Sequence, residues 1–306
     1  MSKKSCVIFV AFVGILIIGE FIARYGLGLG EPPISIPDEH IDYLFAPNQV
    51  CHRFGNVIRY NNKSMRCDFD IVEPCKKGGV IVIGDSVING GALTDHEKLA
   101  TTILQRKYKG VPFYNVSAGS WGPGNYAAYL RKYGIFGADY LVVEMNSHDI
   151  WEDNPELTKG AGVGVDISEP AKRPICALWE GFDRYFMPMA RKWLGLTDNR
   201  INKVDMARWD NASEDREEYN FNQLNYIFSL NICHKCLLIW RSRNETIKCA
   251  ASDGEMKIKI WAKQHGVEVI TVKTDESCYR DKIHPNTEGQ KRIAQCIDDW
   301  MNCRRR

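Results

Sequence analysis

Apolar and polar stretches alternate through most of the chain. Five short, β-branched apolar runs follow one another at Gly79–Ile83, Val111–Val116, Tyr140–Met145, Cys236–Trp240 and Val267–Val272. Continuous runs of this length suit strands buried on both faces of a parallel sheet. Segments of helical periodicity separate them. Residues 95–108 follow Thr94, a predicted N-cap with Glu97 three positions on to complete a capping box. Residues 125–133, 214–230 and 253–264 come next. The last helix is predicted over about 288–300, with Ile293, Ala294 and Ile297 on its apolar stripe and Lys291 and Asp298 on its solvent side. This alternation predicts an α/β fold: a doubly wound three-layer α/β/α sandwich on a five-stranded parallel sheet, with right-handed crossovers.

Residues 150–213 break the rhythm. They hold Gly160, Gly162, Gly164, Pro170 and Pro174, and their aromatics cluster around a predicted helix from Ile175 to Trp193. Some sixty residues are too many for a plain connection. The segment follows strand three on the edge where open α/β sheets bind ligands. Three readings stay open for it: a substrate cap, a dimer patch or a surface that touches a membrane.

The front end has its own pattern. Lys3 and Lys4 precede an uncharged run from Cys6 to Gly19, which Glu20 interrupts and which resumes through Ala23. Counted from Cys6 to Ala23 it is 18 residues, close to what crosses a hydrocarbon core of about 30 Å at 1.5 Å per residue. Lysines before it and a large body after it predict an uncleaved anchor with the N-terminus cytoplasmic and the body extracytoplasmic. A cleaved signal, giving a secreted form, shares the basic start and apolar core. A buried or interfacial helix is the third reading, and Glu20 is its best support. Residues 27–39, rich in Gly and Pro, read as a stalk, and 40–78 as short strands and loops against the main domain. The expected organisation is therefore 1–26 anchor or signal, 27–78 stalk and extension, and 79–306 main domain with the insertion at about 150–213.

Composition narrows the function classes. The chain is 44% apolar and 25% charged with a net charge of +2, which argues against long disorder and gives no broad basic field for nucleic acid. Eleven cysteines in 306 residues are too dilute for a disulfide-stapled scaffold. Cys233-x-x-Cys236, the one close pair, reads as core or structural cysteines at the start of a buried strand rather than as a redox or metal site. The glycosylation pattern occurs at Asn62, Asn115, Asn211 and Asn244, but Asn115 falls on a strand end.

The chemistry-bearing residues stand just beyond the apolar runs. Gly84-Asp85-Ser86 follows strand one and Asn115-Val116-Ser117-Ala118-Gly119 ends strand two. Glu144-Met145-Asn146-Ser147-His148-Asp149 ends strand three, and Asp281-Lys282-Ile283-His284-Pro285-Asn286 precedes the final helix. In an open parallel sheet these four clusters meet at one rim. Serine, histidine and aspartate then converge, as nucleophilic acyl transfer requires. No group has a recognisable metal-ligand spacing, and neither a metal nor a cofactor is expected.

These four blocks, in this order, resemble the SGNH hydrolases, the GDSL-type esterases and lipases, over about residues 79–300. The resemblance implies a flavodoxin-like SGNH hydrolase fold with Ser86 as nucleophile, His284 as base and Asp281 as its acid partner. It implies an oxyanion hole from the backbone N–H groups of Ser86 and Gly119. The third block departs from the family's Gly-x-Asn-Asp. Aligned on Asp149, His148 stands where the oxyanion asparagine would be and Asn146 where the glycine would be. A neutral imidazole has one N–H donor, so His148 is the expected third donor, with Asn146 or no side chain at all as the alternatives. Asp85 and Asp149 read as supporting residues that bond to nearby backbone. The activity implied is a serine esterase working through an acyl-enzyme, on an O-acetyl or other short acyl group of an envelope or extracellular polysaccharide. An O-acyltransferase with the same triad and a catalytically silent glycan-binding or assembly protein are the alternatives. The partners implied are an acylated carbohydrate or small ester and, through the N-terminal helix, a lipid bilayer. Nothing in the sequence fixes an oligomeric state.

Overall fold

All five apolar runs form strands in the computed structural model, which describes residues 3–166, 168–196 and 214–304. Four strands precede them: β1 (Ser35–Asp38) pairs antiparallel with β2 (Asp42–Phe45), and β3 (Gln49–Arg53) with β4 (Asn56–Tyr60). The main sheet is β5 (Gly79–Gly84), β6 (Phe113–Ser117), β7 (Ala138–Met145), β8 (His234–Ile239) and β9 (Glu268–Thr271). Its order is β6-β5-β7-β8-β9, and every pair is parallel.

The three layers follow from side-chain alternation along these strands. Ile81, Ile83, Leu141, Val143, Leu237 and Ile239 enter one core with Tyr126, Leu130, Leu224, Ile227, Ile258 and Trp261. Those partners come from helices Pro123–Tyr133, Glu214–Ser229 and Asp253–Gln264. Val80, Val82, Val142 and Leu238 enter the other core with Leu104, Ile293, Ile297 and Trp300, from helices Ala100–Lys107 and Thr287–Asn302. Val80 to Ile83 are fully enclosed, and each such side chain contributes about 1.5–3 kcal/mol relative to exposure. That rigidity fixes the level at which β5, β6 and β7 end.

Some local expectations are corrected. Asp95, not Thr94, caps the turn before Ala100–Lys107, because its carboxylate accepts from the Glu97 N–H while Thr94 is itself buried. Asp298 is buried rather than solvent-facing, accepting from the Tyr108 hydroxyl at 2.6 Å and Lys107 Nζ at 2.7 Å. Asn115 is fully buried, donating to the Ile88 carbonyl and Thr101 Oγ1, so no glycan reaches it. Asn211 lies outside the described residues.

The front of the chain is in contact with the body. α1 (Lys3–Phe21) has no buried residue and continues through a π-turn, Ile22–Gly26. Among the described residues it is the one helix long and apolar enough to cross a membrane. The segment expected as a stalk is packed at Leu29, which is 4% exposed. At Gly28, φ is +69° and a Cβ would lie 1.9 Å from the His52 carbonyl oxygen, so glycine alone allows this approach. Arg66, fully buried, donates to the carbonyls of Asn89, Gly91 and Thr94. It thereby ties residues 40–78 to the loop after β5. Within 150–213 the described helical pieces are Pro155–Thr158 and the consecutive Ala177–Glu180, Gly181–Phe186 and Met187–Trp193.

Candidate active site

β5 stops at Gly84 because the chain must turn at the sheet's rim. A Cβ on Gly84 would sit 2.6 Å from Glu144 Oε2 and 2.7 Å from Ile88. Asp85 then caps the short helix Ser86–Asn89, its Oδ1 accepting from the Val87 N–H at 2.7 Å. This sets Ser86 at the helix start, half-buried. Gly90 closes the helix at φ +73°, in the left-handed region.

His284 approaches from the other side. Its Nε2 is 3.0 Å from Ser86 Oγ, and its Nδ1 is 2.9 Å from Asp281 Oδ2. The three-residue separation of Asp281 and His284 works through a tight turn, in which Asp281 Oδ1 also accepts from the backbone N–H groups of Ile283 and His284. The turn is held from both ends. Trp240 Nε1 donates to the Ile283 carbonyl at 2.6 Å, and Asn286 caps the final helix while donating to the Ser277 carbonyl. Burial pushes the Asp281 carboxyl up, but those two N–H groups and the His284 ring outweigh it and hold it below the ordinary carboxylate range. An ionised Asp281 fixes the proton of a neutral His284 on Nδ1 and turns Nε2 toward the serine as acceptor.

Gly119 lies just beyond β6. Its carbonyl accepts from the Tyr43 hydroxyl at 2.8 Å. Asn146 is buried, and its amide nitrogen donates to Asp85 Oδ2 at 3.0 Å while its backbone N–H donates to Asp149 Oδ2 at 2.7 Å. Asn146 thus braces the serine turn. His148 is less enclosed, with Nε2 3.5 Å from Asp149 Oδ1. Burial, ahead of the opposing pull of Asp85, lowers its pKa and favours the neutral ring, which carries one N–H donor.

Beneath these groups lies a cluster that spacing did not anticipate. Asp85, His148 and Asp149 bring ligand atoms within 4.8 Å of one another, close enough to hold an ion by distance. Asp85, however, already accepts from Val87, Asn146 and Ser86. Glu144 is fully buried beside them with neither oxygen partnered. Burial first, then the charges of Asp85 and Asp149, push its pKa well above the usual carboxylate range. Asp149 is shifted the same way, by burial and then by Asp85.

Sequence reasoning gave no role to Glu144, Tyr43 or Arg280. Glu144 had a legible signal, a lone charge inside an apolar run. Tyr43 had none. Arg280, which reaches Thr94 Oγ1 at 3.2 Å and links the histidine turn to the serine loop, is one ordinary arginine in the sequence.

No family model and no curated protein sequence matches the chain. Solved structures match it distantly. A member of the lipolytic protein G-D-S-L family from Veillonella parvula aligns at 12% identity over 72% of this chain and 96% of that one, with a TM-score of 0.40. An alpha/beta hydrolase enzyme from the metagenome of Lake Arreo, Spain, aligns at 16% over 75% and 97%, with a TM-score of 0.44. A two-domain esterase active on acetylated mannans aligns at 10% over 74% and 49%, with a TM-score of 0.42.

Proposed function

We propose that the chain is a serine ester hydrolase with Ser86 as nucleophile, His284 as general base and Asp281 as the group that orients His284. The observation that carries this reading is the continuous line Asp281–His284–Ser86, with contacts of 2.9 and 3.0 Å on opposite nitrogens of one ring. Attack by Ser86 Oγ on an ester carbonyl passes its proton to His284 Nε2, and the imidazolium is stabilised by ionised Asp281. The oxyanion is received by the N–H groups of Ser86 and Gly119 and by His148. His284 then returns the proton to the departing alcohol, and water releases the acyl group by the same steps in reverse. Asp85, Asn146 and Asp149 hold the loops that carry these donors.

In this reading residues 79–306 form the hydrolase domain, and 27–78 complete it through Tyr43 and Arg66 rather than standing apart. α1 spans a bilayer, since an apolar helix exposed on every side needs a hydrocarbon solvent. Lys3 and Lys4 place its start in the cytoplasm and the body outside. An esterase so placed meets acylated envelope glycans, and a short O-acyl group on a polysaccharide is the substrate class we propose.

The test is hydrolysis of p-nitrophenyl acetate by the full-length protein in detergent, beside Ser86→Ala. We expect activity in the parent and its loss, by about 10³-fold or more, in the variant. Equal, substantial rates would remove Ser86 from the nucleophile's role. Folded protein that turns over no ester, yet moves acetyl to an added oligosaccharide, would make the chain a transferase.

A further inference from the structure

The helical insertion Ala177–Trp193 has an unusual polarity. Trp179, Phe182, Phe186, Met189 and Trp193 recur along it three and four residues apart, and Ile175 stands just ahead of it, before the Cys176 N-cap. All six are exposed, from 45% for Phe182 to 98% for Ile175. The opposite face is the one that docks. Ala177 is fully buried against Ala23 and Leu29, and Glu180, 5% exposed, pairs with the equally buried Arg53 at 2.7 Å. Arg53 also donates to the Tyr185 hydroxyl, and the Gly30 N–H donates to Glu180. Rolling the stripe inward would turn Glu180 outward and leave Arg53 buried without its partner, which is strongly disfavoured. The aromatic face is therefore fixed outward.

What covers it is indicated by where the helix starts. Glu20, in the last turn of α1, accepts from the N–H groups of Ala177 and Leu178 at 2.9 Å each and from Arg24 Nη2 at 2.9 Å. Gly19 leaves room for Leu178 beside it. The charge that seemed to interrupt an apolar helix is thus the clamp that joins the insertion to the end of that helix. The helical segment that carries the stripe thus starts beside the end of α1. Tryptophan, phenylalanine and tyrosine are the residues that gather at the membrane–water boundary. Lys172 and Arg173 share a hollow with Ile175 and Trp179, which Asp166 and Asp183 also line, and cations beside interfacial aromatics are groups that meet lipid phosphates.

We propose that the helical segment Ala177–Trp193, with Ile175 just ahead of it, is a membrane-interface element, lying in the headgroup boundary of the bilayer that α1 spans and holding the hydrolase body against it. This rests on the reading of α1 as an anchor. The body then has two attachments, the anchor and the stripe, joined at Glu20.

The test uses full-length protein in nanodiscs of phosphatidylcholine and phosphatidylglycerol carrying a phosphatidylcholine with a diazirine in its acyl chain. After irradiation, lipid adducts are mapped by mass spectrometry. Adducts are expected in α1 and in 175–196. The triple variant Trp179→Ser, Phe182→Ser, Phe186→Ser should lower those in 175–196 by about tenfold or more while those in α1 persist. Its ester hydrolysis in detergent, which reports that the body is folded, should match the parent. Adducts confined to α1 would overturn the proposal and leave the anchor standing. Adducts in neither segment would overturn both. Cross-links between the stripes of two copies in one nanodisc, with no lipid adducts there, would overturn it in favour of a dimer.

Discussion

Tyr43→Phe isolates the contribution of the N-terminal extension to the proposed chemistry. The substitution keeps the ring, which meets Phe45 edge-on at 5.8 Å, and removes the hydroxyl that donates to the Gly119 carbonyl at 2.8 Å. Gly119 has two soft dihedrals. The strand fixes the chain on one side, since Ser117 is in register with Gly84, and Tyr43 fixes the peptide on the other. Without the hydroxyl the Gly119 N–H can swing away from the point where the oxyanion forms. A neutral hydrogen bond is worth about 0.5–1.5 kcal/mol net. Carried wholly into the barrier, at 1.36 kcal/mol per tenfold, this lowers kcat by about two- to tenfold. Complete loss of an oxyanion donor, about 10²–10³-fold, is the ceiling. KM should hold, because the interaction strengthens only in the transition state. The assay is steady-state hydrolysis of p-nitrophenyl acetate, with thermal unfolding as the control. An unchanged kcat alongside a lowered Tm would refute the reasoning, since Tyr43 would then be structural and the Gly119 N–H no donor.

Two further predictions follow from the carboxylates. Asp281→Asn keeps an acceptor for the Ile283 and His284 N–H groups but removes the charge, so kcat should fall by about 10²–10⁴-fold with little change in KM. A change under about threefold would detach Asp281 from the mechanism. Because the folded pKa of Asp281 is lowered, its stabilisation is present above the unfolded value of about 3.9 and fades as pH falls through the folded value. Glu144 has the opposite sign: its folded pKa is raised, so its contribution is fully present below the unfolded value of about 4.3 and is lost as pH rises. Relative to Glu144→Gln, the parent should lose unfolding free energy as pH rises above about 4.3, by at most about 1.4 kcal/mol per pH unit. Urea unfolding in detergent at several pH values measures this, and a difference that stays flat with pH would show Glu144 to be ionised.

The five-strand parallel core was legible in the chain because strands buried on both faces must be apolar throughout, and few other elements leave so plain a mark. The rim position of Ser86, Gly119, His148 and His284 followed from the same pattern, since each stands directly after a strand or before the last helix. What a one-dimensional pattern does not carry is the direction of a side chain beyond the strand. Asn146 and His148 stood as alternatives for one role, and only the tertiary structure turned the Asn146 amide onto Asp85. Tyr43 is remote in sequence from Gly119, and no periodicity links them. Asp298 looked solvent-facing because the pattern of its own helix says nothing of Tyr108 and Lys107 on another. Glu20 shows the division most plainly. In sequence it is a charge that mars an apolar helix, whereas in three dimensions its carboxylate finds two backbone N–H groups more than 150 positions away. Local composition determines which elements form, because burial and backbone geometry act residue by residue. Which polar groups meet is decided by packing, because hydrogen bonds join whatever the fold brings within about 3 Å.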